Sequence, residues 1–65
     1  MSIGANIRNR REKLGFTQTE LGEAACVSCQ MISQIEGDIK SPSLPVAFRI
    51  ADKLGCRVED FRDSN

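Results

Sequence analysis

The alternation of apolar and polar residues predicts two short helices in the middle of the chain. Apolar side chains recur there at the spacing of one helix face, at Leu21, Ala24, Ala25, Ile32 and Ile35. Only Cys26-Val27-Ser28 separates the two groups, which leaves room for a tight turn and nothing longer. The pattern therefore predicts a helix, a turn and a second helix within about residues 17–37.

Capping residues indicate where these two helices begin. Thr17 is a favourable N-cap, and Glu20 three residues later completes a capping box. Ser28 is the natural N-cap of the second helix. Gly22 and Ala25 supply the small side chains that closely crossing helices need. The segment thus has the geometry of a helix-turn-helix motif.

The segment before the motif has the pattern of a first helix. We expect it to run from a cap at Ser2 to about Leu14, with Gly15 as its stop. Ile3, Ile7 and Leu14 are expected on its inner face.

The segment after the motif is expected to contain two more helices. The first is capped by Ser43, accepts Pro45 in its first turn and ends at Gly55. Its apolar stripe consists of Val46, Ala47, Ile50, Ala51 and Leu54. A short fifth helix is expected near Val58 to Arg62. Residues 1–65 are therefore predicted to be one all-α domain of five helices.

Length and composition limit the class of protein. A chain of 65 residues buries only about 60% of the surface of its unfolded form, so the core is modest. No apolar run is long enough to span a membrane and no signal peptide is present, so we expect a cytoplasmic protein without a membrane partner. The chain has no histidine, no tyrosine, no glycine-rich phosphate loop and no carboxylate cluster, which argues against an enzyme.

The charge is balanced overall but unevenly distributed. Nine basic and nine acidic residues cancel, whereas DNA-binding proteins usually have a basic excess. Four basic residues precede residue 14, and residues 14–38 contain four acidic residues and no basic one. Any phosphate contact would therefore depend on the first helix, on Lys40, on helix N-termini and on neutral donors.

The motif and its flanks resemble the phage Cro/C1-type (XRE) family of helix-turn-helix regulators. The similar stretches are Leu14-Gly15-Phe16-Thr17-Gln18-Thr19-Glu20-Leu21, Val27-Ser28, Ile32-Ser33-Gln34-Ile35-Glu36 and Pro42-Ser43-Leu44. The resemblance covers roughly residues 3 to 61. It implies a lambda-repressor-like fold, in which helices 2 and 3 form the motif and helix 3 enters the major groove of double-stranded DNA. It also implies a homodimeric transcriptional regulator that binds a palindromic operator.

Helix 3 carries the candidate base contacts. The face opposite its two isoleucines presents Cys29, Gln30, Ser33 and Gln34, and the family reads bases from the positions of Ser28, Cys29, Gln30 and Gln34. A glutamine side chain can form two hydrogen bonds with adenine. The alternative is a neutral polar surface without a ligand.

The resemblance also implies contacts with the DNA backbone. The candidates are Thr17, Gln18, Arg10 and Lys40. Thr17 has a sufficient structural role as a cap, and Arg10 and Lys40 can equally be solvated charges. Gln18, by contrast, has no packing role in an exposed first turn, which favours contact with phosphate.

Two further roles follow from the resemblance. In the family, an arginine at the position of Arg11 pairs with the glutamate that ends helix 3, here Glu36, and fixes how helix 1 meets helix 3. Arg57, Val58 and Phe61 are placed near the dimer interface, although Val58 and Phe61 can alternatively close the core.

The chain departs from the family pattern at two turns. Cys26 replaces the usual glycine between the helices, and a side chain in a left-handed conformation costs about 1 kcal/mol. After helix 3 the glycine, Gly37, comes one place earlier than in the family.

The three cysteines do not predict a metal or cofactor site. Cys26 and Cys29 form a C-x-x-C pattern, but structural zinc needs four ligands and the chain adds only Cys56. Oxidation of Cys29, in the first turn of helix 3, remains an alternative to a neutral contact.

Control by a small-molecule effector is not expected, because no effector domain is present. A second hypothesis for the function is a helix-turn-helix used as a protein-interaction module, such as an antitoxin or an assembly subunit. The zero net charge favours it.

Overall fold

A computed structural model describes residues 2–61. This range contains the α-helices Ile3–Lys13 (α1), Gln18–Ala25 (α2), Cys29–Glu36 (α3) and Leu44–Leu54 (α4), then a 3-10 helix, Val58–Phe61. No strand occurs in the part described, so the all-α class is confirmed. The short fifth helix expected near Val58 to Arg62 is a single 3-10 turn in the described range, and its expected end, Arg62, lies outside the described residues.

Side-chain caps begin the first three helices, as predicted. The hydroxyls of Ser2, Thr17 and Ser28 each accept a hydrogen bond of 3.1 Å from the backbone N–H three residues later. The Glu20 carboxylate accepts a bond of 2.8 Å from the N–H of Thr17, which completes the capping box. These bonds satisfy N–H groups that have no partner within the helix.

The start of α4 differs from the prediction. Ser43 occupies the N-cap position, but its side chain forms no capping hydrogen bond. Pro45 lies in the first turn and has no N–H to satisfy, so one fewer donor needs a partner there. The helix ends at Leu54 and is followed by Gly55, whose φ of 68° is the left-handed conformation expected of a glycine stop.

The core forms where all five elements meet. Its buried members are Ile7, Leu21, Ala25, Ile32, Ile35, Ile50, Ala51, Leu54 and Phe61. The inner faces predicted for α2, α3 and α4 are confirmed except at Ala24 and Val46, which are half-buried. Their burial is the main source of stability available to so small a domain.

The inner face of α1 was predicted wrongly at two of its three positions. Ile3 and Leu14 are 45% and 52% exposed, and only Ile7 is buried. The buried face instead consists of Gly4, Ile7 and Arg11, which lie at i, i+3 and i+7 on one side of a helix. The pattern of apolar residues did not predict this face, because Gly4 has no side chain and Arg11 is charged.

Gly4 allows the first turn of α1 to lie against the end of α3. A methyl group on Gly4 would overlap the carbonyl oxygens of Ile35 and Glu36. The N–H of Gly4 donates to the carboxylate of Asp38 over 3.2 Å. Asp38 adopts a left-handed conformation, with a φ of 60°, at the place where the resembling family has its glycine. The glycine of this chain, Gly37, comes one residue earlier and has a φ of −85°.

The 3-10 helix is attached to α1 and closed by its own carboxylate. The Asn6 side-chain amide donates to the carbonyl oxygen of Phe61 over 2.9 Å. The Asp60 carboxylate accepts a bond of 3.0 Å from the N–H of Arg57. Asp60 therefore satisfies the N–H of the residue that directly precedes this turn.

Candidate nucleic-acid interface

The side of α3 that points away from the core carries a polar stripe, formed by Cys29, Gln30, Ser33 and Gln34 together with the N-cap residue Ser28. Ile32 and Ile35 are fully buried, while Cys29, Gln30 and Ser33 are exposed. Gln34 is half-buried, and its backbone carbonyl oxygen accepts bonds from the N–H groups of residues 39 and 40. The structure thus brings the predicted base-contacting residues together on one side of one helix.

The turn between α2 and α3 sets the direction of this stripe. Cys26 has the left-handed conformation expected there, with φ 61° and ψ 36°. The N–H of Val27 donates to the carbonyl oxygen of Gly22 over 2.9 Å, and Val27 packs against the core. A methyl group on Gly22 would lie 2.7 Å from the Val27 carbonyl oxygen, so only glycine allows the turn to close this tightly.

An ion pair joins α1 to the end of α3. The Nε of Arg11 lies 2.6 Å from Oε2 of Glu36, and its Nη2 donates to Oε1 over 3.1 Å. The two side chains are only 10% and 3% exposed. Arg11 also donates to the carbonyl oxygen of Phe16 over 2.7 Å. The hydrogen bond with Glu36 raises the pKa of Arg11, so the guanidinium stays charged.

Gln18 has a structural partner, contrary to the expectation from the sequence. Its Nε2 donates to Oε1 of Glu36 over 3.1 Å, and the residue is half-buried. Gln18 starts α2 and Glu36 ends α3, so the bond connects the two helices of the motif. The periodicity of apolar residues could not predict this hydrogen bond, because the two residues are 18 positions apart and only the packing of the helices brings them together.

The cationic candidates lie in different places. Lys40 is exposed, and its backbone N–H bonds to the last turn of α3, next to the polar stripe. Arg10 is half-buried and lines a surface groove with Lys13, Leu14 and Leu54, towards the carboxyl end of α4. Neighbouring residues on a helix point about 100° apart, so Arg10 does not share the direction of Arg11, which faces α3.

Comparison with known proteins identifies the family. The helix-turn-helix family profile matches residues 7–61. The chain belongs to the helix-turn-helix family of the Cro/C1 (XRE) type. An uncharacterized HTH-type transcriptional regulator of Methanothermobacter thermautotrophicus is 49% identical over 49 residues, which are 75% of this chain and 71% of that protein.

Two solved helix-turn-helix proteins have the same fold. The P22 c2 repressor, crystallised with a synthetic operator in the presence of Tl+, superposes with a TM-score of 0.93 at 29% identity and covers 100% of this chain and 98% of its own. SinR, the master regulator for biofilm formation, was solved in complex with DNA. It gives a TM-score of 0.85 at 29% identity and covers 94% of this chain and 98% of its own. The N-terminal DNA-binding domain of SinR from Bacillus subtilis gives a TM-score of 0.86 at 28% identity.

The helix-turn-helix domain has an apolar groove beside its last element. The groove encloses about 300 Å³ and is lined mainly by Ile3, Pro42, Leu44, Ala47, Val58 and Phe61. Phe61, a predicted dimer contact, is only 2% exposed because it fills the core of its own domain. Leu44, in contrast, is 64% exposed at the rim. Arg57 is exposed and Val58 is half-buried, so both have surface that a second subunit could contact. Phe61 has almost no such surface.

The cysteines of the helix-turn-helix domain are free thiols. Cys26 and Cys29 are exposed, and Cys56 is half-buried. Burial raises the pKa of the Cys56 thiol, which keeps it protonated. Within residues 2–61 no three metal-ligating side chains of the His, Cys, Asp or Glu type come together. Over the same range, no helix is long and apolar enough to cross a membrane.

Proposed function

We propose that this chain is the DNA-binding domain of a transcriptional regulator that reads sequence with α3 in the major groove. The observation that carries the proposal is the polar stripe of α3, where Cys29, Gln30 and Ser33 are exposed opposite two buried isoleucines. The likeness to two regulators solved with DNA supports the same conclusion. An α-helix presented in this way fits the width of the major groove of B-DNA.

Base recognition is assigned to the stripe residues. They are Ser28, Cys29, Gln30, Ser33 and Gln34. Gln30 and Gln34 are one helical turn apart, so they address neighbouring base pairs, and the amide of each matches the donor and acceptor pattern of adenine. The expected target therefore contains A·T pairs in each half-site.

Contact with the phosphate backbone is assigned to Thr17, Gln18, Arg10 and Lys40. Thr17 and Gln18 lie at the N-terminus of α2, where the helix dipole favours an anion. Lys40 is the cation closest in sequence to α3, and its backbone N–H donates to a carbonyl oxygen in the last turn of that helix. With so few cations near the stripe, we expect a shallow dependence of affinity on salt for each subunit.

The protein is proposed to bind a palindromic operator as a homodimer. The apolar groove next to Val58, with Leu44 exposed at its rim, supports an isologous interface on that face. Two copies related by a two-fold axis would then place their α3 helices about 34 Å apart, in successive major grooves.

A protein-interaction module is the second candidate, favoured by zero net charge and by the absence of basic residues from positions 14–38. Substitution of Gln30 and Gln34 with alanine distinguishes the two functions. A DNA reader loses sequence discrimination, whereas a protein adaptor keeps its partner.

Selection of bound duplexes from a random pool, at a low and a moderate salt concentration, tests the proposal. We expect a two-fold symmetric site to be enriched at both. Absence of enrichment at low salt, with the protein shown to be folded, would contradict the proposal.

A further inference from the structure

The carboxylate of Glu36 accepts hydrogen bonds from two other helices. Arg11 of α1 donates to both of its oxygens, over 2.6 and 3.1 Å, and Gln18 of α2 donates to Oε1 over 3.1 Å. The Glu36 side chain is 3% exposed, so it has almost no access to solvent. Its position is therefore fixed by protein groups alone.

This geometry determines the orientation of the Gln18 amide. A carboxylate accepts hydrogen bonds and donates none, so only the amide nitrogen of Gln18 can face Glu36. Rotation of the amide by 180° would place two oxygens against each other without a proton between them. The amide nitrogen keeps one further N–H, because Glu36 uses only one of its two hydrogens.

Gln18 is also located where an anion is favoured. It is the first residue of α2, whose N-terminal N–H groups have no partner within the helix, and part of its side chain stays accessible. A donor that is already oriented loses less conformational freedom when it binds than a mobile side chain does.

We propose that Glu36 is a positioning residue for DNA binding: it holds the amide of Gln18 with the nitrogen inward, so that the second N–H is oriented for a phosphate oxygen. Arg11 holds Glu36 in turn. The inference rests on the proposed DNA-binding function and adds a coupling between the end of the recognition helix and a backbone contact on α2.

The contact has a distinct binding signature. A neutral hydrogen bond contributes about 1 kcal/mol, so Gln18→Met is expected to weaken binding about fivefold. Phosphate is the same at every base pair, so operator and unrelated duplexes are affected equally. Because glutamine carries no charge, the slope of log affinity against log salt stays unchanged.

A double-mutant cycle tests the positioning role. DNA affinity is measured for the wild type, Gln18→Met, Glu36→Gln and the double variant, at a temperature where circular dichroism shows all four to be folded. We expect Gln18→Met to cost about fivefold in the wild type and less than twofold in the Glu36→Gln background. Equal losses in both backgrounds would overturn the proposal, since Glu36 would then act only through the fold.

Glu12→Gln provides the matched control. Glu12 also lies near Arg11, with 4.0 Å between Glu12 Oε2 and Arg11 Nη2, but Gln18 bonds to Glu36 instead. In the Glu12→Gln background the full fivefold loss from Gln18→Met is expected. If the wild type binds no duplex at low salt, the proposed function fails. If it binds and Gln18→Met has no effect, only the present inference fails.

A measurement without DNA or substitution tests the geometry separately. In side-chain amide relaxation by NMR, Gln18 is expected to have an order parameter above about 0.6, the usual limit for a flexible group. Gln30, which is exposed on α3, serves as the internal reference and is expected to be lower. An equally low value for Gln18 would overturn the positioning role even if Glu36→Gln were unfolded.

Discussion

A single carboxylate, that of Glu36, connects three of the four α-helices of the described residues through Arg11 and Gln18. Burial of two charges costs desolvation free energy, and the arrangement is stable because each buried charge has a partner of opposite charge. No buried side-chain nitrogen or oxygen within the described range lacks a partner. Removal of either Arg11 or Glu36 alone therefore leaves an uncompensated buried charge.

Arg11→Met is expected to lower the free energy of unfolding by about 3 kcal/mol or more, because Glu36 would stay buried without its partner. The double variant Arg11→Met/Glu36→Leu is expected to lose less than the single variant. Urea denaturation of both measures the difference. A double variant less stable than Arg11→Met would contradict this account of the pair.

Cys26→Gly is expected to increase the free energy of unfolding by about 0.5–1 kcal/mol, since the left-handed conformation at φ 61° costs glycine nothing. Thermal denaturation under reducing conditions measures the gain. Cys29→Gly is the control, because that exposed cysteine is helical and no gain is expected there. Equal effects at both positions would contradict strain at Cys26.

At the scale of elements, the local features of the sequence were the most reliable. The caps at Ser2, Thr17 and Ser28 and the stops at Gly15 and Gly55 depend on residues a few positions apart, and the structure confirms them. The contacts of Gln18, Asp38 and Asn6 depend on how helices pack, and no pattern within one helix could indicate them. Of these three residues, only Asp38 could be anticipated from its residue type, because aspartate tolerates a left-handed turn.

Gly4→Ala is expected to destabilise the domain by more than about 1 kcal/mol, although alanine favours helices more than glycine does. The added methyl group would overlap the end of α3 and separate it from α1. Gly37→Ala is the control, since a methyl group there would lie 3.4 Å from its nearest neighbour, at a φ of −85°. Chemical denaturation of both variants distinguishes a close helix contact from an ordinary change of propensity.

The capping box of α2 gives stability a dependence on pH. The hydrogen bond from the Thr17 N–H lowers the pKa of Glu20 below its ordinary value of 4.5. Because the folded-state pKa is the lower one, this stabilisation is complete above the unfolded-state pKa and disappears as pH falls through the folded-state value. Glu20→Gln is expected to remove this acid-dependent part of the stability profile. An unchanged profile in denaturation from pH 7 to pH 2 would contradict it.

At the scale of the whole molecule, the family and the all-α fold could be predicted from the sequence, because the motif residues are contiguous and specific. The type of the fifth helix could not, because the four residues Val58–Phe61 are too few for their pattern to distinguish a 3-10 turn from an α-helix. The sequence left two roles open for Phe61, and the structure places it in the core of its own domain. An aromatic residue near the end of the chain gives no indication whether it fills its own core or a partner's.

Leu44→Glu is expected to weaken operator binding about tenfold or more while leaving the fold intact, because a charge at the rim of the apolar groove opposes a proposed dimer contact. Phe48→Ser is the control, one turn further along α4 and 55% exposed. Sedimentation of the protein with operator DNA measures the number of subunits bound. Two subunits bound with unchanged affinity in Leu44→Glu would place the interface elsewhere.

The most direct test is the affinity of the wild type and of Gln30→Ala/Gln34→Ala for a selected operator and for a shuffled duplex of the same composition. The wild type is expected to prefer the operator strongly. The variant is expected to lose about 1–3 kcal/mol of that preference for each glutamine while retaining its affinity for the shuffled duplex. If wild type and variant discriminate equally, α3 does not read the sequence through its polar stripe, and the central claim is wrong.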